Sequence, residues 1–286
     1  MNKETETTKW DWEISSRTSW WHWGAGEIWA YRHLLVRLVR KDFLLNYQQT
    51  LLGPLWILLQ PLLTLFTFII VFNKMVGIST GGLPPVLFYT ATIILWNFFS
   101  DSFTGAAFTF QQNASVFTKV YFPRLIVPLS VLTAFFIRFL IQFLLLIALL
   151  VYFILFEQFE PVLSGWILFL PFAVMMTGLL SLSLSLIFSV LTAKYRDLSN
   201  VIHLGVRLLM FFTPVIYPVS LVPDKIRWLV NINPLSPLFE AFRYGLLGEG
   251  SFTISQLLYS FFITLILLLG SVMLFQKTGD RLLDIV

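Results

Sequence analysis

The sequence predicts an all-α integral membrane protein with six transmembrane helices, an N-terminal interfacial amphipathic helix and re-entrant external helices between spans five and six. Hydrophobic residues make up 57% of the 286 residues and charged residues only 12%, whereas roughly a quarter of the residues in soluble domains are charged. Long apolar runs recur along the chain, and about 20 apolar residues suffice for a helix to cross a bilayer. Two shorter apolar pieces late in the chain are separated by prolines, a pattern typical of helices that enter a membrane without crossing it.

The first 46 residues are predicted to lie at the cytosolic membrane surface. Residues 1–26 form a Trp-rich tail whose indole rings favour the headgroup region; an interfacial tail and a docking surface for a partner both fit this composition. Residues 27–46 are predicted to form an amphipathic helix, because at about 100° per residue its cations and its apolar residues fall on opposite arcs. The cationic arc, expected to contact anionic lipid, consists of His33, Arg37, Arg40 and Lys41. Arg32 and Asp42 intrude on the opposite arc and are expected to contact protein; that apolar arc consists of Ile28, Tyr31, Leu35, Leu38 and Val39.

Residues 47–286 are predicted to form one transmembrane domain. Its six spans are expected at about 51–72, 85–110, 125–156, 166–192, 201–217 and 255–275. Pro61 in the first span frees a backbone carbonyl, so this side of the helix should face protein rather than lipid. Small residues share one face of the fourth span at a spacing that favours close helix packing over substrate contact; they are Ser181, Ser185 and Ser189. The fifth span looks too short, and the proline-broken pieces at 224–247 follow it.

The distribution of lysine and arginine predicts the orientation of the chain. Thirteen of the nineteen lie in the N-terminal region, in the polar segments 111–124 and 193–200 or in the C-terminal tail, whereas four lie in the opposite loops. Because cytosolic loops carry the excess of these residues, both termini are predicted to be cytosolic in a multi-pass protein of the cytoplasmic (inner) membrane. The net charge of +4 is accordingly assigned to contact with anionic lipid rather than with nucleic acid.

No catalytic, cofactor-binding or metal site is expected in this chain. The sequence contains no cysteine, no GxxxxGK[ST] phosphate loop and no HExxH motif, and its three histidines are scattered. Motifs of this kind hold phosphates or metal ions at spacings that can be recognised in a sequence. If the protein moves a substrate uphill, the energy is expected to come from another subunit or from an ion gradient.

Three charged residues lie within predicted spans, where a charge is costly and indicates a functional site. At a rise of about 1.5 Å per residue, Asp101 lies roughly 13 Å from the cytosolic end of its span, Arg207 roughly 9 Å and Arg138 roughly 20 Å. The similar depths favour a pair between Asp101 and Arg207, with Arg138 as the alternative partner. Two interpretations stay open, a buried ion pair that fixes helix register and contact with an anionic substrate headgroup.

Aromatic side chains crowd the second and third spans, and aromatic faces suit the apolar faces of sugar rings. The candidates for lining a substrate channel are therefore Trp96, Phe98, Phe99, Phe135 and Phe139. Because the chain contains thirty phenylalanines, most of them are expected to contact lipid or neighbouring helices instead.

Five sequence blocks, taken together and in order, resemble one known family. They are YQQTLLGPLWILLQPLLTLFTFIIVF (47–72), NASVFTKVYFPRLIVPLS (113–130), AKYRDLSN (193–200), FFTPVIYPVSLVP (211–223) and NPLSPLFEAFRYGLLG (233–248). From about residue 27 to the C-terminus, the chain is similar to the permease subunits of type-two ABC exporters of polysaccharides, which carry O-antigen, capsule or teichoic acid. The resemblance implies export of a lipid-linked polysaccharide, with O-antigen exporters the most similar, through a channel formed by a homodimer. It also implies two copies of a separate ATPase subunit, which would hold ATP and Mg²⁺.

The same resemblance implies roles for individual residues. A coupling helix at 113–121 would contact the ATPase, with Asn113 capping its N-terminus. The contacts would come from Val116, Phe117, Lys119 and Tyr121, and a second cytosolic turn would contribute Arg196 and Asp197. The external gate helices would lie at 224–247, and the gate would include Tyr217, Trp228, Phe239 and Tyr244. Spans one, two and five would line the polymer path.

Alternatives from other protein classes stay open at this point. An ABC exporter of a drug or a small lipid would share the six spans, and competition by polymer rather than by drugs would separate the two. A membrane transferase would need a cluster of acid, base or metal-binding residues, and none is visible in the sequence. A gradient-driven flippase would act without an ATPase. Copurification of a subunit with a Walker motif is the observation that best separates these classes.

Overall fold

The computed structural model describes residues 25–117, 122–160 and 165–282, and these residues form helices and loops without a strand. This confirms the predicted all-α class. The α-helices, in chain order, are α1 (Ala25–Ala30), α2 (Arg32–Tyr47), α3 (Trp56–Phe68), α4 (Pro85–Ala107), α5 (Thr109–Phe117), α6 (Ile126–Phe156), α7 (Phe169–Lys194), α8 (Leu198–Phe212), α9 (Asp224–Ile232), α10 (Leu235–Leu247) and α11 (Ile254–Leu282). The Trp-rich tail predicted at 1–26 lies outside the described residues except for its last two.

Five helical segments are long and apolar enough to cross a membrane, and they coincide with predicted spans one to four and six. Their bounds are Gly53–Met75, Pro85–Ala107, Ile126–Phe156, Phe169–Lys194 and Ile254–Thr278. The predicted fifth span corresponds to α8, which has only 15 residues and ends before Pro214. At 1.5 Å per residue α8 is about 22 Å long, shorter than a hydrocarbon core of about 30 Å. A sixth span therefore stays a prediction.

The first span continues through its proline because a distant side chain replaces the lost hydrogen bond. Pro61 is buried within α3, and having no N–H it leaves the carbonyl of Ile57, four residues earlier, without its helical donor. Gln142 on α6 donates its side-chain amide to that carbonyl at 3.1 Å. The prediction that this side of the first span faces protein is confirmed. Beyond α3, the chain widens into a π-helix at Ile69–Met75.

Helix α4 lies at the centre of the bundle. It packs against α3, α6, α7 and α10, and 83% of its most apolar window is buried, compared with 22% for the first, third and last of the five candidate spans. Its contact with α7 is close because the facing residues of α7 are small. Ser181, Ser185 and Ser189 are fully buried, and the Ser181 hydroxyl donates to the Phe99 carbonyl at 3.2 Å. The prediction that this serine face packs against a helix is confirmed.

The bundle has two structurally different ends, and α4 runs from one to the other. The α2 end comprises α2, α5 and the turn 195–197, and its apolar core includes Phe110, Ile126, Val190 and Phe275. The α10 end comprises the loop 76–84, the segment 213–223, α9, α10 and the turn 248–253. Helix α10 is buried over nearly its full length, whereas α9 buries only Val230. The two predicted gate helices are thus present as α9 and α10.

Candidate functional site

Arg138 on α6, one of the three charged residues of the predicted spans, lies where α2, α4 and α6 meet. Its guanidinium lies 4.6 Å from the centre of the Phe135 ring and 5.2 Å from that of Tyr47 on α2. Its Nε is buried without a hydrogen-bond partner among the described residues. The charge of Arg138 acts on the carboxylate of Asp101 on α4 and on that of Asp42 on α2. Arg138 therefore connects α2, α4 and α6.

The preferred pairing of Asp101 with Arg207 is not the one that the structure shows. Arg207 is exposed on α8, and the cation that acts on Asp101 is Arg138. The reason is the angular position of each residue around its helix axis. Similar depth along two helices does not bring two residues together unless both lie on facing sides, and Arg207 lies on the outward side of α8.

Helix α2 has much of the predicted two-sided character, but the single helix predicted over 27–46 is interrupted at Tyr31, and Tyr31 of the predicted apolar arc is exposed. All four predicted surface residues are exposed: His33, Arg37, Arg40 and Lys41. Leu35 and Leu38 pack on the apolar core of the α2 end, and Val39 is buried. Asp42 is half-buried against the protein. Burial raises its pKa, and the charges of Lys41 and then Arg138 oppose this effect.

Arg32, the other residue that breaks the pattern of α2, contacts protein, but on the neighbouring α1 rather than in the bundle core. It is exposed, and it donates to the Trp29 carbonyl at 3.2 Å with its guanidinium 5.5 Å from the centre of the Trp29 ring. The side chain is long enough to turn back along the helix surface instead of entering the core.

The aromatic channel candidates divide between the core and a groove. Trp96 and Phe99 are buried, and their rings contact each other with centroids 5.6 Å apart, so in this chain neither faces an open path. Phe98 and Phe139, in contact at 5.3 Å, line a groove of about 710 Å³ between α6, α7 and α10. Phe135 lies beneath Arg138. A channel-lining role stays a prediction.

The exposed apolar residues of α8 are candidates that sequence reasoning missed. Only Ile202 of this helix is buried, and a Cβ atom added to Gly205 would have no other part of the described chain within 4 Å. The exposed apolar residues of α8 are Val201, Leu204, Leu208, Phe211 and Phe212. The sequence signal was present, because α8 also carries His203 and Arg207.

The proposed ATPase-contact segment follows α4 directly. Helix α5 begins at Thr109, and two helical pieces meet at Asn113, which has non-helical angles of φ −117° and ψ 17°. The predicted helix start at Asn113 is therefore an internal kink, and the Asn113 side chain donates back to the Thr109 carbonyl at 3.1 Å. Val116 and Phe117 lie on the second piece, with side chains outside the described part. Lys119 and Tyr121 lie outside the described residues.

The second predicted cytosolic turn lies at the same end of the bundle as α5. Arg196 and Asp197 are exposed in the turn between α7 and α8. Gln111 on α5 donates its side-chain amide to the carbonyl of Thr192, near the end of α7, at 2.7 Å. This bond joins α5 to the last turn of α7, just before the second contact segment, and Gln111 was not among the predicted site residues. Its position at the first polar break after the second span was the available signal.

The four predicted gate residues do not form one cluster. Phe239 is fully buried and Trp228 is 60% exposed. The Tyr217 hydroxyl donates to the Phe211 carbonyl at 2.7 Å, and the Tyr244 ring packs edge-on against Phe252 with centroids 5.6 Å apart.

The strongest polar contact of the α10 end is instead a buried ion pair between Glu240 and Arg243. The two residues are three apart on α10, where side chains are neighbours. Glu240 also accepts hydrogen bonds from the backbone N–H groups of Val219, at 3.2 Å, and Ser251, at 2.8 Å. The guanidinium of Arg243 lies 4.5 Å from the centre of the Phe88 ring on α4. The pair thus fastens α10 to two loops and to the start of α4.

Comparison with known proteins agrees with this architecture. The chain matches the family model described as ABC-2 type transporter over residues 33–247. A Klebsiella pneumoniae protein named O-antigen export system permease protein RfbA is 28% identical over 252 residues, which cover 88% of this chain and 94% of the relative. A Myxococcus xanthus protein of the same name is 26% identical over 219 residues, covering 76% and 81%. Because the family model covers most of the chain and five apolar helices can cross a membrane, this is a multi-pass membrane protein that belongs to the ABC-2 type transporter family.

Proposed function

We propose that the chain is the permease subunit of an ATP-driven exporter that carries a lipid-linked polysaccharide, with O-antigen as the polymer, across the cytoplasmic membrane. The observation that carries this proposal is the near full-length similarity to proteins named as O-antigen export permeases, which covers 94% of the first relative. The exposed, short α8 and the two contact segments at the α2 end are compatible with it.

The proposed active unit is a homodimer. Helix α8 buries one of its 15 residues, and its outward side carries large apolar groups that need cover from lipid or from protein. At about 22 Å, α8 is too short to match the bilayer alone, and a second copy facing it would enclose a path that lipid does not enter. We place the polymer path between the two copies of α8, with Arg207 and His203 facing it.

The proposed ATPase contact is the surface formed by α5 and the turn 195–197. The Gln111–Thr192 hydrogen bond joins α5 to the last turn of α7, which leads into the turn 195–197, so the two segments are placed to move together with the ends of α4 and α7. Two copies of a separate ATPase subunit, with ATP and Mg²⁺ bound there, would supply the work. The α2 end then lies in the cytosol, in agreement with the excess of lysine and arginine at that end.

Copurification tests the ATPase partner. We expect the tagged full-length chain, expressed in its own cell and purified in mild detergent, to retain a subunit that contains a Walker motif. We also expect deletion of the gene for the chain to remove surface polysaccharide, and the wild-type gene to restore it. As a control, a Walker-lysine variant of the partner should copurify without restoring export. Transport that follows the proton gradient without such a partner would refute the proposal.

Cysteine crosslinking tests the dimer. Because the sequence contains no cysteine, a disulfide between two copies can form only through the introduced thiol. We expect at least one of Leu204→Cys, Leu208→Cys and Phe211→Cys, one turn apart on α8, to form a disulfide-linked dimer in membranes under mild oxidation. The matched control is Leu144→Cys on α6, also exposed at 68%, which should stay monomeric. Crosslinking at Leu144→Cys alone would move the dimer surface to α6.

A second candidate function is export of a drug or a small lipid. The apolar groove of about 710 Å³ lined by Phe98 and Phe139 falls within the range of about 300–1,000 Å³ of small-molecule pockets. Competition distinguishes the two candidates. In a reconstituted transporter, purified polymer should stimulate ATP hydrolysis and a panel of apolar drugs should not; stimulation by drugs alone would favour the second candidate.

A further inference from the structure

A cavity of about 290 Å³ opens at the α10 end. It lies between the loop that precedes α4, the segment that follows α8, and the turn that follows α10. Unlike the groove between α6 and α7, it is lined by groups that donate and accept hydrogen bonds. Its polar lining residues are Thr80, Ser220, Glu240, Arg243, Glu249 and Ser251.

Arg243 supplies a donor that the protein itself does not use. Its side chain is only 2% exposed, held between its ion pair with Glu240 and the ring of Phe88. Its Nη1 is buried and has no hydrogen-bond partner among the described residues. Leaving a charged donor unsatisfied in a buried position is costly, which points to a ligand or to water as its partner. Glu240 is already occupied, because its two oxygens accept from two backbone N–H groups.

Glu249 supplies an acceptor at the rim of the same cavity. Its carboxylate lies over two consecutive glycines, so that a Cβ atom on Gly81 or Gly82 would come within 3.0 Å of a carboxylate oxygen. Both glycines have positive φ, a conformation that other residues rarely adopt. Burial raises the pKa of Glu249, and the charge of Arg243 opposes this effect. The loop before α4 thus leaves room for this carboxylate at the rim of the cavity that Arg243 also lines.

We propose that this cavity binds a single neutral sugar residue through Arg243 and Glu249. A hydroxyl group both donates and accepts, so neighbouring hydroxyls match one guanidinium and one carboxylate. An anion would be repelled by Glu249 and a metal cation by Arg243. A volume of about 290 Å³ is just below the range of about 300–1,000 Å³ for drug-sized ligands, and therefore suits one ring. The inference rests on the proposed function, in which the α10 end faces outward and meets the exported polymer.

Saturation-transfer NMR on the full-length chain in nanodiscs tests the site. The probes are glucose, galactose, mannose and N-acetylglucosamine, with inorganic phosphate and calcium chloride as competitors. Ser220→Trp fills the cavity from an exposed position, and Glu249→Gln removes the charge from the rim. We expect at least one sugar to bind. Ser220→Trp should abolish that binding because the added ring occupies the cavity, and Glu249→Gln should weaken it about tenfold, the effect of losing one hydrogen bond to a charged group. The control Leu221→Trp adds the same ring one residue away, outside this cavity, and should leave binding unchanged.

The outcomes separate this inference from the proposed function. Absence of binding for all four sugars, undiminished binding in Ser220→Trp, or displacement by phosphate or by calcium would each overturn the sugar site. Polymer export in cells is measured separately. A chain that exports polymer but binds no sugar refutes the cavity alone, whereas a chain that binds sugar but is dispensable for export refutes the proposed function and the link of the cavity to the polymer.

Discussion

Helices α4 and α8 are both predicted to line a polymer path, yet they differ in how many of their residues the chain buries. Helix α4 buries 17 of its 23 residues, whereas α8 buries one of 15. The aromatic rings of α4 are therefore packed by this chain itself, and those of α8 are left for lipid or for another protein. In a membrane the apolar character of a helix does not show which side faces protein, so aromatic density alone does not identify a path. The first of four predictions tests this contrast directly, and the other three extend it to charged and polar residues elsewhere in the bundle, from the largest expected effect to the smallest.

Truncating one aromatic ring on each helix tests the contrast directly. Phe99→Ala on α4 removes a fully buried ring and should lower the free energy of unfolding by about 3–5 kcal/mol, because a cavity is left behind. Phe211→Ala on α8, 55% exposed, should change it by less than about 0.5 kcal/mol while reducing polymer export. Chemical unfolding in one detergent and export in cells provide the measurements. Equal destabilisation by both variants would remove the contrast.

Two arginine substitutions sharpen the contrast for charged residues. Arg138→Met leaves Asp101 without its neighbouring cation and should destabilise the fold by about 2 kcal/mol. Arg207→Met removes an exposed cation and should leave stability unchanged while reducing export, since we place Arg207 in the path. The same unfolding and export assays apply. Normal export by a stable Arg207→Met protein would exclude contact between this residue and the polymer.

Gln111→Leu tests whether the hydrogen bond between α5 and α7 couples ATP hydrolysis to polymer export. The change removes the 2.7 Å hydrogen bond to the Thr192 carbonyl and should cost about 1 kcal/mol of stability. We expect a larger functional effect, with ATP still hydrolysed but less polymer exported for each ATP. Gln112→Leu, at the adjacent exposed position, is the matched control. If the two variants behave alike, α5 and α7 do not move together through this bond.

Asp42→Asn is expected to have the smallest effect, on the pH dependence of stability. Burial raises the pKa of Asp42 in the folded protein, so the fold favours the protonated carboxyl. Stability from this group is therefore greatest below its unfolded pKa of about 3.9 and falls as pH rises through the folded value. The Asn variant should lose that decline, measured by unfolding between pH 3.5 and pH 6. Asp197→Asn, in an exposed turn, should retain it.

Sequence patterns predicted the helices and some of their packing faces, because periodicity and breaking residues act locally. The serine face of α7 packs as its spacing predicts, and α8 stops before Pro214. Pro61 predicted a carbonyl in need of a donor, but not that Gln142 would supply it. The two residues are brought together only by the packing of α3 on α6, which no local pattern encodes.

The candidate site was less predictable because it depends on helix rotation and on tertiary contacts. Depth along the spans paired Asp101 with the wrong arginine, since depth carries no information about which side of each helix faces inward. Glu240 and Arg243 have the spacing of an ion pair on α10. The importance of the pair comes from two loops, whose backbone N–H groups donate hydrogen bonds to Glu240. The site residues between 118 and 121 lie outside the described residues, and their role stays a prediction.

The hydrogen bond from Gln142 to the Ile57 carbonyl restricts how the first and third spans can move. Both residues are buried in helices that are long and apolar enough to cross a membrane, where no water replaces a broken hydrogen bond. Sliding α3 along α6 would separate the amide from the carbonyl, whereas tilting one helix about the other keeps them together. Proline inside a transmembrane helix usually weakens the helix. Here Pro61 frees one backbone carbonyl, and the hydrogen bond to that carbonyl is the point about which the two spans can tilt.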